Sequence, residues 1–205
     1  MKLIAMTDDS HSVHELASKI ASIHHLVDTI HIREKSKSAY EILLLVNLLE
    51  QKGVNKEKIV IHDRLDIALL TDNPNIHLPS HSLPVKEVRA AFPHLRIGRS
   101  IHSFGEAKQA ESEGADYVLY GHCFETNCKK GIVPNGVNTL IDIKKEIRIP
   151  VFAIGGITPE RVYQLRKAKA DGIAIMSGIF ASDNPYESAL ILSKKCQEHD
   201  YENKL

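Results

Sequence analysis

Two glycine turns follow apolar runs directly in the C-terminal half of the chain. Val151 to Ile154 ends in Gly155-Gly156, and a later apolar run ends in Met176-Ser177-Gly178. Glycine lets backbone N–H groups approach an anion with no side chain in the way. The pair of turns therefore predicts a phosphate site at Gly155, Gly156, Met176, Ser177 and Gly178, although the same residues also suit plain tight turns. A third apolar run exits through Gly121-His122-Cys123-Phe124-Glu125-Thr126. Imidazole has an ordinary pKa of about 6.5, so it both takes and gives a proton near neutrality. His122 is thus the candidate acid–base group, with a hydrogen-bonded loop histidine as the plain alternative. Arg33 and Lys35 end another run and can pair with a carboxylate, Arg bidentately, unless Glu34 or Asp8 engages them first. Ser100 and His102 leave a further run, His102 as a second candidate for proton transfer. Cys123 and Cys128 flank the loop after His122. A thiol there would have a base beside it, yet packing is the expected role.

These exits need a scaffold that gathers them. Apolar runs of strand length alternate with helical patterns from end to end. Leu3 to Met6, Val27 to Ile32, Lys58 to Ile61 and Ile76 to Leu78 read as the first four strands. Leu95 to Ser100, Asp116 to Tyr120 and the runs before the two glycine turns read as the rest. Thr7-Asp8-Asp9-Ser10 can cap a helix carrying Val13, Leu16, Ala17, Ile20 and Ile23. His24-His25 closes that helix, where the dipole would favour imidazolium. Thr158-Pro159-Glu160 opens the helix after Gly156, and Pro185 the last one. Eight such units predict a parallel sheet with right-handed crossovers. Closure gives a (β/α)8 TIM barrel, and an open doubly wound sheet is the alternative. In barrels the loops after strands seven and eight commonly hold phosphate, which is where the two glycine turns fall.

The 205 residues suit one domain, taken as 1–205, and no linker precedes the polar tail. Lys and Arg number 26, as do Asp and Glu, so no general nucleic-acid or anionic-membrane surface is expected. Three cysteines without zinc-ligand spacing suit reduced thiols in a cytoplasmic compartment. No signal peptide or membrane span is expected. Most of the 12 histidines are expected on the surface. A homo-oligomer is left open.

The exits resemble one family in order along the chain. His31-Ile32-Arg33-Glu34-Lys35, His62-Asp63-Arg64-Leu65-Asp66-Ile67-Ala68, Asn75-Ile76-His77-Leu78, Gly114-Ala115-Asp116-Tyr117-Val118, Ala153-Ile154-Gly155-Gly156-Ile157 and Met176-Ser177-Gly178-Ile179-Phe180 are similar to motifs of the thiamin phosphate synthase / TenI superfamily. The resemblance implies a thiamin phosphate synthase-like barrel binding a thiazole phosphate at the C-terminal ends of its strands.

The departures suggest a branch. Synthases use Mg²⁺ to hold a pyrimidine pyrophosphate, and Asp63 matches one metal carboxylate of their pattern. Ser82 stands where the second is expected, His31 replaces a pyrimidine-binding Gln, and His62 replaces an Asn. Gly121 to Gly131 resembles the TenI-type thiazole tautomerases, with His122 in place of a proline. That branch implies an isomerase of thiamine biosynthesis acting on an exocyclic-alkene carboxythiazole phosphate. His122 would move the proton, giving the aromatic carboxythiazole phosphate without metal or cofactor. Arg33 and Lys35 would hold the carboxylate, Ser100 and His102 would line the mouth, and Thr126 and Lys129 would close over the substrate. Asp63 would then be structural, bonding to Arg64 or Arg33. A Mg²⁺-dependent thiamin phosphate synthase and a non-catalytic thiazole or thiamin phosphate binder are the alternatives.

Overall fold

Strands and helices alternate around a closed parallel barrel in which every strand pairs with its sequence neighbours and β1 pairs with β8. The computed structural model describes residues 1–126, 131 and 133–198. The strands are β1 (Lys2–Met6), β2 (Thr29–Ile32), β3 (Ile59–His62), β4 (Asn75–Leu78), β5 (Arg96–Ile101), β6 (Tyr117–Gly121), β7 (Val151–Ile154) and β8 (Gly172–Ile175). The helices are α1 (Val13–Ile23), α2 (Ala39–Gln51), α3 (Leu65–Leu70), α4 (Val85–Ala91), α5 (Phe104–Ser112), α6 (Gly136–Glu146), α7 (Val162–Lys167), α8 (Ser177–Phe180) and α9 (Pro185–Gln197). Among the described residues no helix is long and apolar enough to cross a membrane.

Each strand buries both faces, but against different partners. Outward residues such as Leu3, Ile30, Ile32, Ile59, Ile61, Ile76 and Leu78 join the helices' apolar stripes in the larger core. Inward residues Ile4, Met6, Tyr117, Leu119, Phe152 and Ala174 fill the barrel. Each fully buried Leu, Ile or Phe contributes roughly 1.5–3 kcal/mol by leaving water. Gly98 on β5 has no side chain because the Tyr117 ring occupies that space.

Local chemistry sets the helix starts. Ser12, rather than the Thr7-Asp8-Asp9-Ser10 run, is the N-cap of α1, its side chain accepting from the Glu15 N–H. The run before it is used elsewhere: Thr7 Oγ1 accepts from Arg33 N–H at 2.8 Å, and Asp9 accepts from Ser36. Ser38 and Glu41 form a reciprocal capping box on α2, a device of about 1 kcal/mol. The helix dipole does not account for His24. Burial, His25 and Lys58 lower its pKa, and Lys58 Nζ donates to the His24 and Val27 carbonyls.

Three aspartates secure the N-terminal rim. Asp28, Asp116 and Asp171 accept from the N–H groups of Leu3, Ile97 and Val151 at 2.8, 2.6 and 2.7 Å. Each carboxylate thereby satisfies a strand-start donor that the ladder leaves open. That rim is committed to stability, and the C-terminal rim is left for chemistry.

Candidate active site

The C-terminal ends of the strands open into a cavity of about 860 Å³. Its wall includes His122, Arg33, Lys35, Ser100, His102 and Thr126, together with Gly155, Gly156, Met176, Ser177 and Gly178. The closed barrel brings these together from β2, β5, β6, β7 and β8 because every strand exits on the same side. Lys129 lies outside the described residues, as does Cys128.

The β2 exit is fixed by a buried ion pair. The Glu34 side chain is fully buried, and Lys37 Nζ reaches it at 2.5 Å and Asp9 at 3.7 Å. Glu34 therefore engages Lys37 rather than Arg33, and Arg33 and Lys35 face the cavity.

The β6 and β7 exits are stitched together. Cys123 N–H donates to Ile154 O and Phe124 N–H to Gly155 O, each at 3.0 Å. Asn135 N–H donates to His122 O at 3.0 Å, and the Gly121–His122 peptide is cis. Gly155 and Gly156 have φ of 105° and 64°, a region in which a Cβ is strained. A Cβ on Gly155 would stand 2.5 Å from His122 Cβ, and one on Gly156 would enter the Glu125 carbonyl oxygen. The two glycines let the β6 loop lie against the β7 turn, and both line the cavity. The first N–H groups of α8, at Ser177 and Gly178, also have no helical acceptor.

Arg161 is a cation that the strand-exit reading missed. It lines the cavity, donates to Gly156 O at 2.5 Å and lies 4.9 Å from the Phe124 ring centroid. Its position just after the Thr158-Pro159-Glu160 cap was the available signal.

His122 is buried, only 4% exposed, and its side chain shares the wall with His102. Glu106 sits 3.7 Å from His102 Nδ1 and accepts from its backbone N–H. Cys123 is buried, and burial pushes its thiol pKa up to about 12, so it packs rather than reacts at neutral pH.

Asp63 is exposed, follows the cavity-lining His62 in the chain and accepts a hydrogen bond from the Ser82 hydroxyl. It bonds to neither Arg64 nor Arg33 in the way the sequence suggests; Arg64 instead pairs with Asp66. A carboxylate and a hydroxyl are oxygen donors suited to Mg²⁺, which often takes one or two carboxylates plus substrate phosphate oxygens.

Among the described residues four histidines are interior: His31, His62, His77 and His122. The first three point inward from β2, β3 and β4. His31 Nδ1 and His62 Nε2 are 2.8 Å apart, and the His62 and His77 rings stack at 4.4 Å between centroids. His77 Nε2 contacts Ser100 Oγ at 2.8 Å and Nδ1 contacts the Tyr117 hydroxyl at 3.3 Å. Burial holds all three well toward the neutral form, His77 at a pKa of about 3. Alternation was the signal for these three, since Ile30, Ile32, Ile59, Ile61, Ile76 and Leu78 claim the outward face.

The thiamine monophosphate synthase family model matches residues 3–179. The chain belongs to this family. A thiamine-phosphate synthase of Methanococcus maripaludis is 32% identical over 190 residues, 92% of this chain and 91% of the relative. One of Chlorobium luteolum is 40% identical over 166 residues, 78% of this chain and 77% of its own length. The thiamine phosphate pyrophosphorylase of Pyrococcus furiosus superposes with a TM-score of 0.80 at 28% identity, over 95% of this chain and 94% of that one. These findings overturn the isomerase expectation drawn from Ser82, His31, His62 and the His122 loop: the relatives carry the name of a transferase, not of a tautomerase.

Proposed function

We propose that the chain is a transferase of the thiamine-phosphate synthase type, joining a diphosphate-activated pyrimidine to a thiazole phosphate. The observation that carries this reading is one cavity lined by both glycine turns and by Arg33, Lys35 and Arg161, enough cationic and N–H surface for two phosphorylated substrates. Gly155-Gly156 and Ser177-Gly178 hold the thiazole phosphate through backbone N–H groups. Arg33 and Lys35 draw the diphosphate to the opposite wall, next to Asp63. The reaction breaks the bond between the pyrimidine methylene and the diphosphate oxygen, which leaves with the electron pair. The thiazole nitrogen lone pair forms the new bond to that carbon, and no proton need be moved. Asp63, with Ser82 beside it, would hold Mg²⁺, which when bound would supply neutralising charge for a diphosphate. The protein's own part is alignment of two anions that otherwise repel, and exclusion of water from an electrophilic carbon.

The test is incubation of the purified chain with both substrates and Mg²⁺, following thiamine phosphate and released pyrophosphate. Formation of both in equal amounts supports the transferase. Binding of the thiazole phosphate without product at any Mg²⁺ concentration sinks it.

A further inference from the structure

We propose that His31, His62 and His77 form a binding site for one divalent ion of the zinc class inside the barrel, beneath the substrate cavity. This site is separate from the Asp63 oxygen donors and does not depend on the proposed condensation.

Three observations carry the inference. One nitrogen from each ring lies within 4.8 Å of the other two, and all three residues are buried. They stand on adjacent strands: His62 and His77 are direct register partners, and His31 lies beside Val60, two residues below His62 on the same face. Strands hold ligands more rigidly than loops do. The third observation is the surrounding hydrogen-bond pattern. Ser100 and Tyr117 each contact one nitrogen of His77, so one stays as an orienting partner when the other ligates, the arrangement that fixes a metal-bound imidazole.

The donor chemistry selects the ion. Three nitrogens without a carboxylate suit zinc, cobalt or nickel and disfavour the hard Mg²⁺. Zinc–imidazole bonds of about 2.0–2.1 Å require nitrogens roughly 3.4 Å apart in a tetrahedron. The His31–His62 pair at 2.8 Å must open slightly and His77 must swing in. The ion displaces the proton shared by His31 and His62, and that proton moves to the other nitrogen of the ring that carried it. Each neutral imidazole then carries one N–H on the nitrogen away from the ion, so no net proton is released. His62 also lines the cavity wall, so a fourth coordination position opens toward the substrate space, as catalytic three-histidine sites require.

The experiment titrates the metal-stripped full chain with Co²⁺ in the absence of substrates, following visible ligand-field absorption. The expected result is one equivalent with the strong bands of four-coordinate cobalt, displaced by Zn²⁺. His62→Asn and His77→Gln, each checked for folding by circular dichroism, should weaken binding by about 100-fold or more, at least the cost of losing a supporting partner. The control His24→Gln/His25→Gln should bind as wild type. Binding unchanged in folded His62→Asn, or abolished in the control, overturns the site. If both interior variants misfold, anomalous scattering from a zinc-soaked wild-type crystal decides: a peak between the three rings supports the site, and no peak there overturns it. Failure of the condensation assay leaves this readout untouched, and the converse holds too.

Discussion

Ser82 donates its hydroxyl to the Asp63 carboxylate at the rim of the barrel, where synthases resembling this chain are expected to place a second carboxylate. One carboxylate leaves Mg²⁺ dependent on waters and substrate oxygens for its remaining positions. Asp63→Asn should therefore reduce condensation by about 10²-fold or more, the scale of losing a transition-state charge stabiliser. Ser82→Asp should act in the other direction, lowering the Mg²⁺ concentration needed for half-maximal rate. Pyrophosphate release measured across a Mg²⁺ series checks both. A rate in Asp63→Asn equal to wild type would remove Asp63 from the metal site.

The glycine turns give a second prediction with an internal control. Gly156 combines a φ of 64° with carbonyl oxygens of Phe124 and Glu125 where a Cβ would go. Gly178 carries no such backbone constraint, and its Cβ would meet only Ile175 Cγ2 at 3.0 Å. Gly156→Ala should cost about 1–3 kcal/mol of stability through backbone strain, and weaken phosphate binding by displacing the turn. Gly178→Ala should cost less than that in denaturant unfolding. Equal costs would show that the turn geometry at Gly156 is not what fixes the loop.

Cation placement at the β2 exit yields a third. The Glu34–Lys37 pair occupies the local carboxylate, leaving Arg33 and Lys35 directed to the cavity. Arg33→Ala should raise KM for the diphosphate substrate about tenfold, as expected when a charge-assisted contact worth about 1.5 kcal/mol is lost, with a smaller change in KM for the thiazole phosphate. Steady-state kinetics varying one substrate at a time separate the two. Equal rises in both KM values would place Arg33 between the substrates rather than on the diphosphate side.

Strand alternation and the exits were legible because parallel strands send every C-terminal end to one rim. His122, Arg33, Ser100, Gly155 and Ser177 reach one cavity for that reason alone. Contacts between distant segments were not. Nothing local to Asp63 names Ser82 as its partner, and nothing near Ser12 shows that Asp9 is taken by Ser36. The histidine trio spans His31 to His77, and only the outward isoleucines reveal that those rings point inward. The departures at His31, His62 and Ser82 and the loop Gly121 to Gly131 point to the isomerase branch, but they are few positions against a similarity to synthases that extends over 92% of the chain.

The same three histidines set the acid limit of the fold. Burial lowers the pKa of His31 and His62 well below 6.5 and that of His77 to about 3; nearby cations add to this, Arg96 at His31, Arg33 and Lys35 at His62, and Arg99 at His77. Tyr117, the other titratable ring against the cluster, is pushed up by burial and stays protonated throughout the acid range. In the unfolded chain each imidazole titrates near 6.5. The folded value is the lower one, so the unfolded state binds more protons in between. The stability associated with each neutral ring is fully present above about pH 6.5 and is lost as pH falls toward the folded pKa. For His77, with a folded value of about 3, that amounts to about 1.5 kcal/mol between pH 6.5 and 5, against a typical stability of about 5–15 kcal/mol, and His31 and His62 act in the same direction. Urea midpoints of the metal-stripped chain should therefore fall across this window, before most carboxylates titrate. The combined variant His31→Gln/His62→Asn/His77→Gln should show a much flatter profile there, even if its stability at neutral pH is lower. A wild-type midpoint constant from pH 7 to 5 would mean that the rings are protonated inside the barrel, or that water reaches them.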